Sequence, residues 1–175
     1  YSIYFKNLIT GEVWDEHIKN TTGDLAWAND NKTLFYSVRD RSLRPYKIYK
    51  HVLGTPVKDN QLVYHEKDTT FDVSVYKSKS EKYVIISSES TLSTECRILP
   101  ADRPDQKFKV FQARQKKIEY QISHQGDRFL ILTNYQAKNF RLMEASEDQT
   151  EIKYWRELIP HREKVLIEEV EVFKD

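Results

Sequence analysis

Apolar and polar residues alternate along most of this chain. The segments VSVYK (73–77), YVIIS (83–87), FKVFQ (108–112), YQIS (120–123) and FLILT (129–133) are short, rich in β-branched and aromatic residues, and bounded by polar or turn residues. That pattern predicts β-strands, because such side chains suit a pleated, half-buried surface. The segment VLIEEVEVF (165–173) reads both ways, since Leu166, Val170 and Phe173 also fit one helical face. The alternation of Val170 and Val172, together with a repeat, favours a strand there.

Four stretches align: DLAWANDNKTLFYSV from residue 24, DVSVYKSKSEKYVIISS from 72, EYQISHQGDRFLILTN from 119 and EEVEVFKD from 168. Each opens on an acidic residue followed by alternating apolar positions. The first three continue through a polar turn into a second apolar run. Trp27, Val75, Ile122 and Val170 fall at equivalent places, 48, 47 and 48 residues apart. Two more strand-like segments lie within each interval: PYKIYKHVL and QLVYHEK, then TECRIL and FKVFQAR, then FRLMEA and YWRELI. Four strands recurring at constant spacing predict an all-β chain of β-propeller blades. A sandwich or barrel of about twelve strands is the alternative, but it has no reason to repeat evenly. The expected division is residues 1–22 as outer strands of a preceding blade, 23–70, 71–117 and 118–164 as blades, and 165–175 as the first strand of the next. The chain starts without Met inside one alternating segment and stops inside another, so a piece of a longer polypeptide is expected. Isolated, such an open arc of about three and a half blades is expected to be marginally stable or to self-associate through its uncovered faces.

Composition narrows the function. Lys and Arg number 28 against 27 Asp and Glu, giving a net charge of +1. Nucleic-acid binders draw affinity from a basic excess, so the basic, tyrosine-bearing stretch RDRSLRPYKIYKHVLG (39–54) reads as a blade turn running into a strand. The single Cys96 forms no internal disulfide, and the apolar runs fall far short of the roughly 20 residues of a membrane helix. A cytoplasmic protein with no membrane or nucleic-acid partner is expected. The four glycines at 11, 23, 54 and 126 are too far apart for nucleophile elbows, dinucleotide loops or phosphate loops. The five histidines are scattered and have no metal-ligand spacing, so neither a cofactor nor a metal is expected. His65-Glu66-Lys67-Asp68 is the densest titratable cluster and reads as a solvated turn between blades. Lacking paired glycines and a Trp-Asp pair, the blades are expected to hold together by apolar packing with little polar help.

The segments LRPYKIYKHVLGT (43–55), ANDNKTLFYSVRD (28–40), VSVYKSKSEKYVIISSESTLSTECRIL (73–99), KNFRLM (138–143) and WRELIPHRE (155–163) resemble the propeller of the prolyl oligopeptidase family of serine peptidases, in its oligopeptidase B branch. The resemblance runs through the whole chain in order. It implies a propeller of about seven blades capping a C-terminal α/β-hydrolase domain. It also implies an enzyme that cleaves short peptides after Lys or Arg with a Ser-Asp-His triad carried on that other domain. No catalytic residue is therefore expected here. The propeller's implied role is a lid that admits short peptides and excludes folded proteins. Turns after second strands and links between blades would share one rim, where Arg39, Arg41, Arg44, Arg114 and Lys116 are the candidate contacts to the hydrolase domain or to peptides. A free-standing interaction module built on blades is the competing reading.

Overall fold

A computed structural model describes residues 1–173; Lys174 and Asp175, the last two of the expected terminal strand, lie outside the described residues. Fourteen strands are described: β1 (Ser2–Lys6), β2 (Val13–Lys19), β3 (Thr21–Trp27), β4 (Thr33–Arg39), β5 (Pro45–Val52), β6 (Gln61–His65), β7 (Asp72–Lys77), β8 (Tyr83–Ser90), β9 (Ser93–Pro100), β10 (Lys109–Gln112), β11 (Tyr120–Gln125), β12 (Arg128–Thr133), β13 (Arg141–Ser146) and β14 (Arg156–Ile159). β1 and β2 form a two-stranded sheet, and β3–β6, β7–β10 and β11–β14 form three four-stranded sheets. Every pairing is antiparallel and joins strands consecutive in sequence. The chain is all-β, in the sheet order of propeller blades.

The core lies between sheets. Phe5 and Ile18 of the two-stranded sheet meet Leu34 and Tyr36 of β4. Phe35 and Ile48, on the other face of the first four-stranded sheet, meet Val73, Val75, Val84 and Ile86 of the second. Ile85, Ile98 and Phe111 in turn meet Ile122, Phe129 and Ile131 of the third. Neighbouring residues of β4, β8 and β12 thus serve opposite faces, and both faces are covered. This explains why YVII and FLIL read as unbroken apolar runs while the flanking strands alternate. Trp27, Val75 and Ile122 each pack toward the preceding sheet.

The terminal segment departs from expectation. Residues 165–173 form no strand, although their alternation is used in packing: Val172 is buried, and Val170 half-buried, against Leu130 and Leu142 of the third sheet. The Ile167 N–H bonds the Asn139 carbonyl (3.2 Å), and Glu171 pairs with Lys79 at 3.3 Å. A strand needs a partner ladder, and no described strand lies on its far side.

Candidate functional site: the charged rim

The segments that leave the last strand of each four-stranded sheet lie beside the turn that joins that sheet's second and third strands. In the first sheet, Arg44 of the β4–β5 turn donates Nη1 to the carbonyls of Phe71 (2.7 Å) and Asp68 (3.2 Å) in the link that follows β6. In the second, Thr94 N–H reaches the Ile118 carbonyl (3.0 Å), and Lys117 N–H reaches Ser93 Oγ (3.2 Å). In the third, Asn139 Nδ2 donates to the Glu163 (2.6 Å) and Arg162 (3.2 Å) carbonyls. One rim therefore carries all three turn–link pairs, as the blade order requires.

The link after β6 is clamped from both sides. Arg44 holds its backbone, and the Arg114 guanidinium lies 4.0 Å over the Phe71 ring. Arg114 also donates Nη2 to Glu66 Oε2 at 2.5 Å and lies 3.4 Å from Glu95 Oε1. Glu66 is only 4% exposed. It also accepts from Ser88 Oγ (2.6 Å), Tyr64 OH (2.7 Å) and Asp68 N–H (2.9 Å). Burial alone would raise this carboxyl, but hydrogen bonds from Arg114, Ser88, Tyr64 and Asp68 outweigh it and pull it down to about 2. The same contacts raise Arg114 against the opposing effect of burial. Glu66 thus corrects the reading of His65-Glu66-Lys67-Asp68 as wholly solvated: His65, Lys67 and Asp68 are exposed, and Glu66 is not.

Of the five expected rim residues, Arg44 and Arg114 are tied inward and hold the sheets together. Arg41 and Lys116 are exposed and Arg39 is half-buried. These three side chains form no hydrogen bond or ion pair among the described residues. Arg39 and Arg41 line one shallow cleft with Asn20, Asp40 and Tyr46. The β4–β5 turn that presents them is built by Asp40, whose Oδ1 accepts the Ser42 (2.8 Å) and Arg44 (3.1 Å) N–H groups.

The opposite rim carries polar locks as well. Asn29 reaches the Ala101 carbonyl by its backbone (2.9 Å) and Asp102 Oδ1 by its side chain (2.7 Å). His124, buried on β11, hydrogen-bonds Ser80 Oγ through Nδ1 (2.8 Å) and Glu147 Oε1 through Nε2 (2.7 Å). Burial lowers its basicity, and this outweighs the raising effect of Glu147. Each sheet-to-sheet contact between complete sheets therefore has polar fasteners beside its apolar core, more than sequence alone had suggested. Sequence reading missed the burial of Glu66 and His124, the pairing of Glu66 with Arg114, and the roles of Ser80 and Glu147. One signal was available: Glu66 and Arg114 stand one repeat, 48 residues, apart with opposite charge.

Cys96 is fully buried beside Ser87 Oγ (3.7 Å), and burial pushes its thiol up to about 12. Among the described residues no three His, Cys, Asp or Glu side chains gather to hold a metal ion, and no helix is long and apolar enough to cross a membrane.

Comparison with known proteins places this architecture. The family model of the prolyl oligopeptidase N-terminal β-propeller domain matches residues 1–175. Dipeptidyl aminopeptidase BI of Pseudoxanthomonas mexicana is 41% identical over 99% of this chain and 24% of its own length. Protease 2 of Moraxella lacunata is 32% identical over 95% of this chain and 26% of its own length. The structure of oligopeptidase B from Leishmania major superposes with a TM-score of 0.91 at 26% identity, covering 97% of this chain and 24% of that one. The chain thus spans about a quarter of the length of the relatives it matches. With its successive four-stranded sheets, apolar seams between them and this match over its full length, the chain belongs to the prolyl oligopeptidase family, within the N-terminal β-propeller domain.

Proposed function

We propose that this chain is the non-catalytic, gating part of a serine-type oligopeptidase that works in the cytoplasm and hydrolyses short peptides after Lys or Arg. The observation that carries the reading is the family match across residues 1–175, joined to the likeness to oligopeptidase B. Residues 23–70, 71–117 and 118–164 act as successive blades, residues 1–22 complete the blade before, and 165–175 lead into the one after. A C-terminal α/β-hydrolase domain supplies the nucleophile. There the serine attacks the scissile carbonyl, histidine carries the proton to the leaving amine, and backbone N–H groups hold the oxyanion.

The propeller's contribution is exclusion. A stack of sheets packed by rigid apolar seams leaves only a narrow approach, which an extended peptide can thread and a folded protein cannot. Arg39, Arg41 and Lys116 are the rim side chains free to meet the hydrolase domain or an incoming peptide. Arg44 and Arg114 serve the same rim indirectly, by fixing its shape.

The test uses the full-length protein that carries this chain. It is expected to cleave an N-terminally blocked Arg-Arg fluorogenic peptide, to lose activity with a serine-directed organophosphate, and to leave a folded protein bearing the same dipeptide uncut. Equal cleavage of the folded protein would sink the gating role. Arg41→Glu and Lys116→Glu are expected to change KM or the salt dependence of the rate while leaving secondary structure intact. A second reading, removal of N-terminal dipeptides, draws on the name of the relative that is 41% identical. It predicts activity on the free-amine substrate and none on the blocked one.

A further inference from the structure

The outer strands of the first two four-stranded sheets part and leave a cleft of about 440 Å³ between β5–β6 and the β9–β10 connection. Both walls belong to sheets with all four strands in place. On β5, Lys50 pairs with Phe35 and Gln61, a register that turns it toward the second sheet. On β9, Arg97 pairs with Ile86 and Val110, which turns it back toward the first. Two cations from different sheets thus line one cleft, and Lys107 stands exposed at its mouth.

The charges there are poorly answered. The Lys50 side chain is only 10% exposed, yet its partner, Asp105 Oδ1 at 3.2 Å, belongs to a side chain that is 94% exposed. Taking an ammonium out of water is costly, and a carboxylate bathed in solvent returns little of that cost. Arg97 lies 4.2 Å over the Tyr64 ring, and its Nη1 stands 2.7 Å from Glu95 Oε1 as an ion pair whose geometry makes no hydrogen bond. Glu95 is already shared with Arg114. Among the described residues the other N–H groups of Lys50, and all those of the Arg97 side chain, find no acceptor. The remaining wall is aromatic: Tyr64, and Phe108 held edge-on against Phe35.

We propose that this cleft binds a small organic anion, with its carboxylate or phosphate taken by Lys50 and Arg97 and its apolar or aromatic body against Tyr64 and Phe108. The volume falls within the range usual for small-molecule sites. A guanidinium and an ammonium converging on one anion make the strongest class of hydrogen bond a protein offers. Asp105 then acts as an exchangeable stand-in, swinging into solvent when ligand enters. The site lies between outer strands, apart from the rim assigned to gating, and stands or falls independently of the peptidase reading.

Calorimetric titration of the full-length protein tests it, with phenyl phosphate, benzoate, inorganic phosphate and neutral benzyl alcohol as probes. Phenyl phosphate or benzoate is expected to bind about tenfold more tightly than inorganic phosphate, and benzyl alcohol not to bind. Whichever aromatic anion wins names the head group the site takes. Lys50→Met and Arg97→Gln are each expected to weaken binding about tenfold or more. Asp105→Asn, a change at an exposed side chain that leaves the core untouched, is expected to tighten it about threefold by removing the competitor. No binding by any probe would overturn the proposal. So would inorganic phosphate binding as tightly as phenyl phosphate, affinity unmoved by the Lys50 and Arg97 changes, or an Asp105→Asn variant no tighter than the parent.

Discussion

Replacing Glu66 by Gln removes one charge from the lock between the first two four-stranded sheets while keeping its shape. In the folded chain the Glu66 carboxyl lies near 2 against an ordinary value of 4.5. At about 1.4 kcal/mol per unit, that difference makes the ionised form worth about 3 kcal/mol at neutral pH. Because the folded value is depressed, this stability is fully present above about pH 4.5 and is lost as pH falls toward 2. At pH 3.5 about 2 kcal/mol of it should remain. The amide still meets Ser88, Tyr64 and the Asp68 N–H, but leaves the Arg114 guanidinium without its 2.5 Å carboxylate partner. Urea unfolding followed by tryptophan fluorescence, at pH 7 and again at pH 3.5, measures both numbers. The Glu66→Gln penalty is expected to shrink by roughly 1 kcal/mol between the two. A penalty under about 0.5 kcal/mol at pH 7, or one independent of pH, would refute the reasoning, since an exposed ion pair behaves that way.

Other consequences follow from the same geometry. His124→Gln is expected to cost about 2 kcal/mol by disturbing the Ser80 and Glu147 bonds in a buried site. The parent histidine is held neutral, so its share of stability should be full above the ordinary histidine range and fade as pH falls through it; urea midpoints across pH 5 to 8 should show the variant losing that slope. Cys96 is expected to resist thiol reagents in the folded chain and to react only after denaturant is added, because its thiol is buried and pushed up to about 12. Gly126 holds φ +65° in the β11–β12 turn with open space where a Cβ would go, so Gly126→Ala should cost about 1 kcal/mol in a thermal melt through backbone strain alone.

Much of the architecture was legible from period alone. The 47–48-residue spacing of Trp27, Val75 and Ile122 works because each residue performs the same task, covering the sheet before it. Residues 165–173 form no strand because Val170 and Val172 carry the apolar pattern of one but have no ladder partner among the described residues. Alternation reports which side chains are covered; only backbone pairing makes a strand. The rim was half legible. Arg41, Arg44, Arg114 and Lys116 fall on turns or links, and Arg39 ends β4 at the mouth of its turn. Local composition cannot tell a free arginine such as Arg41 from Arg114, whose carboxylate partner stands 48 residues away.

By itself, then, the sequence determined the all-β class, the repeat length, the strands of the three complete sheets and the resemblance that leads to the family. Each of these depends on local periodicity or on ordered similarity, and both survive without knowledge of contacts. Tertiary structure decided which charges are structural and which are free. It buried Glu66 beneath Arg114, enclosed His124 between Ser80 and Glu147, and set Lys50 and Arg97 facing each other across a cleft. The physical reason is that a charge's role depends on its neighbours in space, and between blades those neighbours stand roughly one repeat apart along the chain.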